Sequence, residues 1–501
     1  FTGLGKGPQA MSVLLVLVVV LPIALTLLSL QTESPRLTGY AGAAGALAVF
    51  ALTITLATGV AAGRPHVVTA LGGGLRLDAL GAVFLLTVGL VYGLTSLYTV
   101  GYLRHDQAQP DFTSFNRNFF VLLHLFGWSM LIVPCLNNLA VMWTAVELTT
   151  IFSALLVALE GTDTSLEAAW KYILIASAGL ALALLGIVLL YYAGTPTLGA
   201  SYQPDWTVLL AAAPRLSTNL VQLAFVVSLI GFGTKVGIVP MHTWLPDAHG
   251  EGPTPVSAML SGALLVDALY AVFRVYLIAT RTGAANSAHA LLLGFGILTL
   301  GVAAFFVLQQ DNYKRLLAYS SVENMGLLTL AAAFGGPIAL YGMLLHVLNH
   351  AATKSMVFFG AGSVLQRYQT KRIDEVSGVI GIMPYTGPLL LVAVLALGGL
   401  PPFGMFRSEL LMLTGGFAQG QYIPVAVFLV FVTLLFLGLL FHFTRMTWRP
   451  APAGVAVGDA HGLMLAAMGL DLIVVVGLGL GAPPPLNSLL QQAAALFGRP
   501  S

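Results

Sequence analysis

Apolar runs long enough to cross a lipid bilayer recur along the whole chain. A membrane-spanning helix needs about 20 mainly apolar residues. Of the 501 residues, 58% are hydrophobic and only 8% are charged, far fewer charges than a soluble domain carries. The sequence therefore predicts an all-α polytopic membrane protein with about 14 transmembrane helices. The runs lie at residues 12–30, 37–60, 78–101, 118–134, 136–159, 167–192, 219–245, 254–281, 287–308, 315–335, 337–363, 386–413, 421–443 and 462–482.

The connections between the runs are too short to hold a soluble catalytic domain. The longest extend over residues 193–218 and 366–385. The single cysteine, Cys135, excludes a disulfide within the chain and any cluster ligated by several cysteines. The net charge of +2 gives no indication of nucleic-acid binding. We expect any chemistry to lie inside the bundle or in a partner protein, with no cofactor held by this chain.

Residues 1–11 are predicted to be an amino-terminal extension, since Met11 is the first methionine and directly precedes the first apolar run. The stretch 11–30 is long for a signal peptide and has no small-x-small cleavage site before a soluble domain. It is therefore interpreted as the first membrane helix.

Loop charges predict the orientation, because Lys and Arg are enriched in cytoplasmic loops. With the amino terminus outside, the cytoplasmic loops would hold Arg36, Arg104, Arg117, Lys314, Arg315, Arg367, Lys371, Arg372, Arg445 and Arg449. The opposite loops would hold fewer: Lys6, Arg64, Arg76, Arg215, Arg274, Arg281 and Arg499. This distribution favours both termini outside, in the inner (cytoplasmic) membrane of a cell.

Two of the runs are interrupted by glycine and proline, at residues 233–247 and 397–409. The backbone groups freed by such breaks must face protein or water within the membrane. The breaks fall in helices 7 and 12, an odd offset, so the two segments would cross the membrane in opposite directions, as in transporters with inverted repeats. We predict inverted repeats of helices 4–8 and 9–13. The domains are then 12–117 (helices 1–3), 118–281, 282–445, and 446–501 (helix 14 and tail).

Ionisable residues recur inside the predicted helices. A lysine at the middle of a membrane helix costs roughly 2.5 to 3.5 kcal/mol, so such groups are usually functional. Any single one could instead be a packing aid or part of a buried ion pair. Their spread over helices 5–12 predicts a lateral row of protonatable sites, because burial raises the pKa of a carboxylic acid and lowers that of an amine. The row comprises Glu147, Lys171, Lys235, Asp267, Glu323, Lys354 and Glu409.

Glu147 and Lys235 are hypothesised to form a coupled pair. When the two are close, the carboxylate stabilises the charged amine; when they separate, the amine releases its proton.

Histidines accompany this row. His346 and His350 are four residues apart on one helix face, with Lys354 one turn further on, and His242 follows the first break. The spacing of the pair also suits a metal, but no third ligand is evident. Two histidines hydrogen-bonded to backbone are a further alternative. A proton wire is the favoured interpretation, since imidazole exchanges protons near neutral pH.

The segment Gly233-Thr-Lys-Val-Gly-Ile-Val-Pro-Met-His-Thr-Trp-Leu-Pro-Asp-Ala-His249, continued by 253–262, resembles the signature of the antiporter-like membrane subunits of respiratory complex I. That superfamily also includes multisubunit Na+/H+ antiporters and membrane-bound nickel-iron hydrogenases. Segments 315–326 and 399–404 are similar to further parts of the family pattern, and the resemblance covers roughly residues 80–445.

The resemblance implies fourteen helices in two inverted repeats, and it implies ion-path roles for Glu147, Lys235, Lys354 and Glu409. Asp267 departs from the pattern, because many complex I members carry a lysine there. Glu160–Lys171, which contains Thr164–Lys171, and the acidic Glu323 look most like the hydrogenase-associated branch.

The implied function is a proton-translocating subunit of a redox-driven complex, with other membrane subunits, peripheral redox subunits and lipid as partners. A subunit of a multisubunit Na+/H+ antiporter is the alternative. A membrane enzyme with a surface active site, or a purely structural scaffold, fits the buried charges less well.

Overall fold

The structure is a computed structural model that describes residues 7–63, 66–106 and 111–498. It is a bundle of helices with one short hairpin, in which β1 (Val68–Ala70) pairs antiparallel with β2 (Leu75–Leu77). The helices are α1 (Pro8–Gln31), α2 (Pro35–Ala61), α3 (Ala79–Tyr102), α4 (Phe112–Ile132), α5 (Leu139–Ala158), α6 (Asp163–Leu198), α7 (Trp206–Ala212), α8 (Thr218–Val236), α9 (Trp244–Glu251), α10 (Thr254–Met259), α11 (Leu265–Thr280), α12 (Ala285–Val307), α13 (Tyr313–Phe334), α14 (Gly336–Tyr368), α15 (Val379–Ile382), α16 (Thr386–Leu397), α17 (Gly404–Ala418), α18 (Tyr422–Trp448), α19 (Gly462–Leu480) and α20 (Pro484–Ala495).

The prediction of an all-α polytopic membrane protein is confirmed. Within the described residues, 11 helical segments are long and apolar enough to cross a membrane. The predicted runs 315–335 and 337–363 correspond to α13 and α14, and the run 386–413 corresponds to α16 and α17. The number of fourteen spans, the inverted repeats and the domain boundaries stay predictions.

The structure differs from the predicted boundaries at the amino terminus. Helix α1 begins at Pro8, so the last residues of the predicted extension are helical. Residues 1–6, including Lys6, lie outside the described part of the chain, as do Arg64 and Arg499. Arg274, which the loop charges above include, is instead buried within α11.

Side-chain caps fix the start of several helices next to the interior. Asn138 accepts hydrogen bonds from the backbone of Ala140 and Val141 at the start of α5, and Asn312 does the same for the first turn of α13. These bonds satisfy amide groups that an α-helix leaves without partners at its amino end. The caps therefore define the residue at which each of the helices that carry Glu147 and Glu323 begins.

Both predicted breaks are present. Helix α8 ends at Val236 because Gly237 adopts a left-handed conformation (φ 83°), and the chain continues through a turn into α9. The predicted run 219–245 therefore differs from the structure beyond residue 236. In the second break α16 ends at Leu397, Gly399 has φ 71°, and α17 begins at Gly404. Each membrane segment is thus two helices joined by irregular backbone.

The segment formed by α10 and α11 occupies the centre of the bundle. A π-helical turn, Leu260–Leu264, joins the two helices, and every residue of the most apolar stretch of 254–280 is buried. Helix α3 is nearly as enclosed, whereas α1 and α18 lie at the periphery. Ionisable side chains on the inner helices are therefore separated from lipid by other helices.

Candidate functional site

Lys235 lies in the last turn of α8 and is fully buried. Its ammonium group donates hydrogen bonds to the Thr150 hydroxyl (2.8 Å) and to the Tyr172 hydroxyl, which in turn contacts Ser153 Oγ at 2.8 Å. The ammonium also lies 4.6 Å from the centre of the Tyr172 ring, which stacks on Trp244. Neutral hydroxyls and aromatic faces therefore hold this cation.

Glu147 does not pair directly with Lys235. One of its oxygens accepts a hydrogen bond from Ser177 (2.6 Å), and the other is buried without a partner in the described chain. Glu147 interacts electrostatically with Lys235, yet no ion pair within 4.0 Å joins them in the described residues. The structure thus shows the hypothesised pair separated.

Asp267 lies on α11, just after the π-helical turn, and is 1% exposed. Neither carboxyl oxygen has a hydrogen-bond partner among the described residues. Asp267 also interacts electrostatically with Lys235. Lys235 therefore has two carboxyl neighbours, and neither of them is in contact with it.

Lys354 is a second fully buried lysine of the predicted row, on the continuous helix α14. Its ammonium group donates to the Leu317 carbonyl (3.0 Å) and to the Ser320 hydroxyl. Glu323 interacts electrostatically with Lys354 and with Glu409, again without an ion pair in the described chain. Like Lys235, this lysine is held by uncharged oxygens.

His346 connects three helices through its two ring nitrogens. The Asn324 amide nitrogen donates to Glu323 (2.7 Å) and to the Ser320 carbonyl (2.6 Å), so its oxygen must be the atom that faces His346 Nε2 at 2.8 Å. His346 Nε2 therefore carries a proton. The other nitrogen, Nδ1, lies 2.9 Å from the hydroxyl of Ser408 on α17.

His350 lies next to His346, with the ring centres 6.4 Å apart. Its Nε2 lies 3.1 Å from the Ser261 carbonyl and donates to it, whereas Nδ1 is buried without a partner in the described chain. Ser261 and Ser321 share a hydrogen bond of 2.7 Å between their hydroxyls. Polar atoms from α13, α14 and the central π-helical turn therefore meet here.

Glu409 lies on α17 beside the second break and is 8% exposed. Its carboxylate packs against Gly399, where a Cβ atom would collide with it. Any other residue at 399 would therefore displace the carboxylate or the backbone. Glycine at this position allows the left-handed backbone conformation and leaves room for the Glu409 carboxylate.

Two further predicted site residues are Lys171 and His242, and neither forms a hydrogen bond with the residues described above in the described chain. Lys171 is 38% exposed; it pairs with Glu167, and its ammonium lies 3.8 Å from Asp247. The structure therefore places Lys171 in a charged cluster at one end of the bundle. His242, in the first break, is 7% exposed and lies 6.2 Å from the Tyr319 ring, measured between ring centres.

Polar residues of the site that were not singled out from the sequence include Thr150, Tyr172, His249, Asn324 and Ser408. His249 is fully buried and bonds the Leu245 carbonyl at 2.8 Å. Its position inside the first break segment was a usable signal. The roles of the others depend on partners far away in the chain.

The described residues contain no group of three or more His, Cys, Asp or Glu side chains placed to hold a metal.

Comparison with known proteins places this geometry in a family. Residues 137–436 match the family described as NADH:quinone oxidoreductase/Mrp antiporter, TM. The chain is 35% identical to a hydrogenase-4 component F homolog from Methylacidiphilum infernorum, over 84% of this chain and 88% of the relative. It is 31% identical to NADH-quinone oxidoreductase subunit N from Desulforudis audaxviator, over 81% and 80%.

A chain of the membrane-bound sulfane sulfur reductase, an archaeal respiratory membrane complex, shares the fold with a TM-score of 0.85 and 23% identity, over 98% of both chains. The family match includes both broken segments, Lys235, Lys354 and the carboxyl groups around them. The chain therefore belongs to the family of NADH:quinone oxidoreductase and Mrp antiporter membrane subunits.

Proposed function

We propose that this chain moves protons along the buried row from Glu147 to Glu409, as a subunit of a redox-driven membrane complex. The observation that carries the proposal is the arrangement around Lys235 and Lys354. Each lysine is held by neutral oxygens, with a carboxyl group nearby but not in contact. An amine in such a site can release its proton without breaking an ion pair. If the carboxylate moves slightly closer, it favours the charged, protonated form of the amine.

In the second half, Asn324 positions His346 and does not itself carry protons. It holds the proton of His346 on Nε2, which leaves Nδ1 facing Ser408 as the proton acceptor. A proton taken up at Nδ1 would come from the side of α17, where Glu409 lies. Among the described residues no hydrogen bond joins the Lys235 and Lys354 sites, so water is expected to bridge them.

The expected partners are other membrane subunits, including related antiporter-like ones, peripheral redox subunits and lipid. The hydrogenase-4 relative favours a hydrogenase-type complex, with electron transfer in the partner subunits and no cofactor or nucleic acid bound by this chain. We place the protein in the inner (cytoplasmic) membrane with both termini outside, from the distribution of Lys and Arg. A Na+/H+ antiporter subunit is the second candidate, because the family includes Mrp antiporters.

Inverted membrane vesicles from the native host distinguish these two functions. Proton uptake is followed with a fluorescent dye after addition of an oxidisable substrate, and separately after a Na+ gradient is imposed. We expect the redox substrate to drive proton uptake that is lost when Lys235 is replaced by alanine. Proton movement that follows only the Na+ gradient would contradict the redox-driven function and support the antiporter.

A further inference from the structure

A cavity of about 810 Å³ opens where α14 begins, between α17 and the terminal helix α20. Neither the two buried lysines nor the histidines near Lys354 line it. Its volume lies within the range of roughly 300–1,000 Å³ usual for small-molecule sites. It is therefore large enough for a ligand and separate from the row of titratable groups.

The lining of the cavity includes several hydrogen-bond donors. Arg407 supplies a guanidinium, and Gln419, Asn487 and Gln491 supply amides. The Tyr341 hydroxyl donates to Asn487 Oδ1 at 2.9 Å, which leaves the Asn487 amide nitrogen available to the cavity. No aspartate or glutamate is among the described residues that line this space. The donor set suits an anion.

The charge of Arg407 is not neutralised within the described chain. One guanidinium nitrogen donates to the Leu478 carbonyl at 3.2 Å, and none of the ion pairs found in the described residues includes Arg407. A guanidinium has five donors and binds phosphate through two of them at once. The first turn of α14, which has no side-chain cap, opens on the same cavity and adds to the positive potential.

Other residues of the lining are apolar. Ile338, which is 42% exposed, lines the cavity with Leu340, Leu411 and Phe497. A ligand that uses both kinds of lining residue has an anionic head and an apolar tail. A zwitterionic headgroup fits less well, since its ammonium would meet no carboxylate there.

We propose that this cavity binds an anionic phospholipid, with the phosphate at Arg407 and the acyl chains along Ile338 and Leu411. The bound lipid would connect α17, which carries Ser408 and Glu409, to α14 and α20. Basic pockets between transmembrane helices bind anionic headgroups by the same physical chemistry.

The test uses the complex purified through a tag on this chain and stripped of lipid by detergent. Thermal unfolding is followed with added phosphatidylglycerol, phosphatidylcholine or glycerol 3-phosphate. We expect phosphatidylglycerol alone to raise the Tm by several degrees. Arg407→Gln should lose most of that shift and weaken the apparent affinity about tenfold. The matched control Arg215→Gln, an exposed arginine outside the cavity, should respond as the wild type does.

An equal shift with phosphatidylcholine would overturn the proposal, and so would an equal shift with glycerol 3-phosphate, which would indicate a site for a soluble anion. An unchanged response of Arg407→Gln would also overturn it. If Arg407→Gln instead loses a partner subunit while its response to phosphatidylglycerol is intact, the cavity receives protein. Gln491→Leu, at an exposed position on α20, is the second variant if Arg407→Gln does not fold, and it too should reduce the shift.

Discussion

Two buried cations of this protein, Arg274 and Lys235, have opposite surroundings. Arg274 forms a two-pronged ion pair with Asp78, at 2.8 and 2.5 Å, and lies 3.9 Å above the centre of the Trp206 ring. Lys235 has no carboxylate within 4.0 Å among the described residues and donates to hydroxyls instead. Both side chains are at most 2% exposed, so burial alone does not distinguish them.

On the proposed function, this difference distinguishes a structural charge, Arg274, from one that exchanges its proton, Lys235. The guanidinium of an arginine stays protonated, and a contact with a carboxylate fixes it in one geometry. A lysine beside neutral acceptors exchanges its proton with modest changes in distance to nearby acids. Lys354 belongs with Lys235 by this criterion, since Leu317 and Ser320 hold it. We expect changes at Arg274 to affect folding, and changes at the two lysines to affect transport.

The largest effect on transport is expected for Lys235→Ala. Removing the amine interrupts the row at the first break, so redox-driven proton uptake into inverted vesicles should fall at least tenfold. The amount of assembled complex, measured by immunoblot after native electrophoresis, should stay close to that of the wild type. A variant that assembles and pumps normally would show that Lys235 is a structural cation, as Arg274 is.

Asp78→Asn tests the other half of the comparison. Breaking a buried ion pair by removing one partner costs about 3–5 kcal/mol. We therefore expect a lower Tm and less assembled complex, while proton uptake per assembled complex is nearly unchanged. Thermal unfolding of the purified complex measures the stability, and normal stability with lost pumping would reverse the two roles.

The stability effect of Asp78→Asn should depend on pH in a defined direction. Burial opposes ionisation of Asp78, but Arg274 and the Gly81 amide outweigh it and lower the pKa of Asp78 below its ordinary value of 3.8. A carboxyl group whose pKa is lowered by folding stabilises the protein above its unfolded pKa and loses that effect as the pH falls. The difference in Tm between wild type and variant should therefore be largest near neutral pH. It should become smaller below about pH 4.

The sequence predicted the membrane class, both breaks and the burial of Lys235 and Lys354, because each leaves a local signal. A lysine within one apolar run, or two prolines within another apolar run, can be recognised without knowing which residues pack against it in the fold. The partners of Lys235 were not visible, since Thr150 and Tyr172 lie on other helices and are ordinary residues there. The sequence also predicts Lys171 in the row, because position along α6 does not show which face of the helix points inward.

Glu147→Gln should reduce proton uptake several-fold, less than Lys235→Ala does. The amide keeps the hydrogen bond with Ser177 but removes the charge that favours the protonated lysine. Asp267→Asn is the companion variant, since Asp267 is the other carboxyl neighbour of Lys235. Unchanged pumping in both Glu147→Gln and the double variant Glu147→Gln/Asp267→Asn would refute the coupled pair, whereas loss in the double variant alone would show that the two acids replace each other.

His346→Gln should have a smaller effect, about two- to five-fold on proton uptake, because water can replace part of a hydrogen-bonded relay. A glutamine retains polar contact with Asn324 or Ser408 but does not take up a proton as imidazole does. His124→Gln is the matched control, a fully buried histidine that bonds Tyr92 at 2.7 Å between α3 and α4, away from the row. Equal losses in both variants would indicate a packing role for His346.

The smallest effect is expected for Lys171→Ala. In its ion pair with Glu167, the Lys171 side chain is 38% exposed and the Glu167 side chain is 54% exposed. Exposed ion pairs contribute about 0–1 kcal/mol to stability. Proton uptake and Tm should both stay near the wild-type values. The same vesicle assay that measures Lys235→Ala provides the comparison. A loss approaching that of Lys235→Ala would mean that the charged cluster around Asp247 delivers protons to the buried row. In that case solvent exposure, like burial, would not distinguish structural charges from transferable ones in this fold.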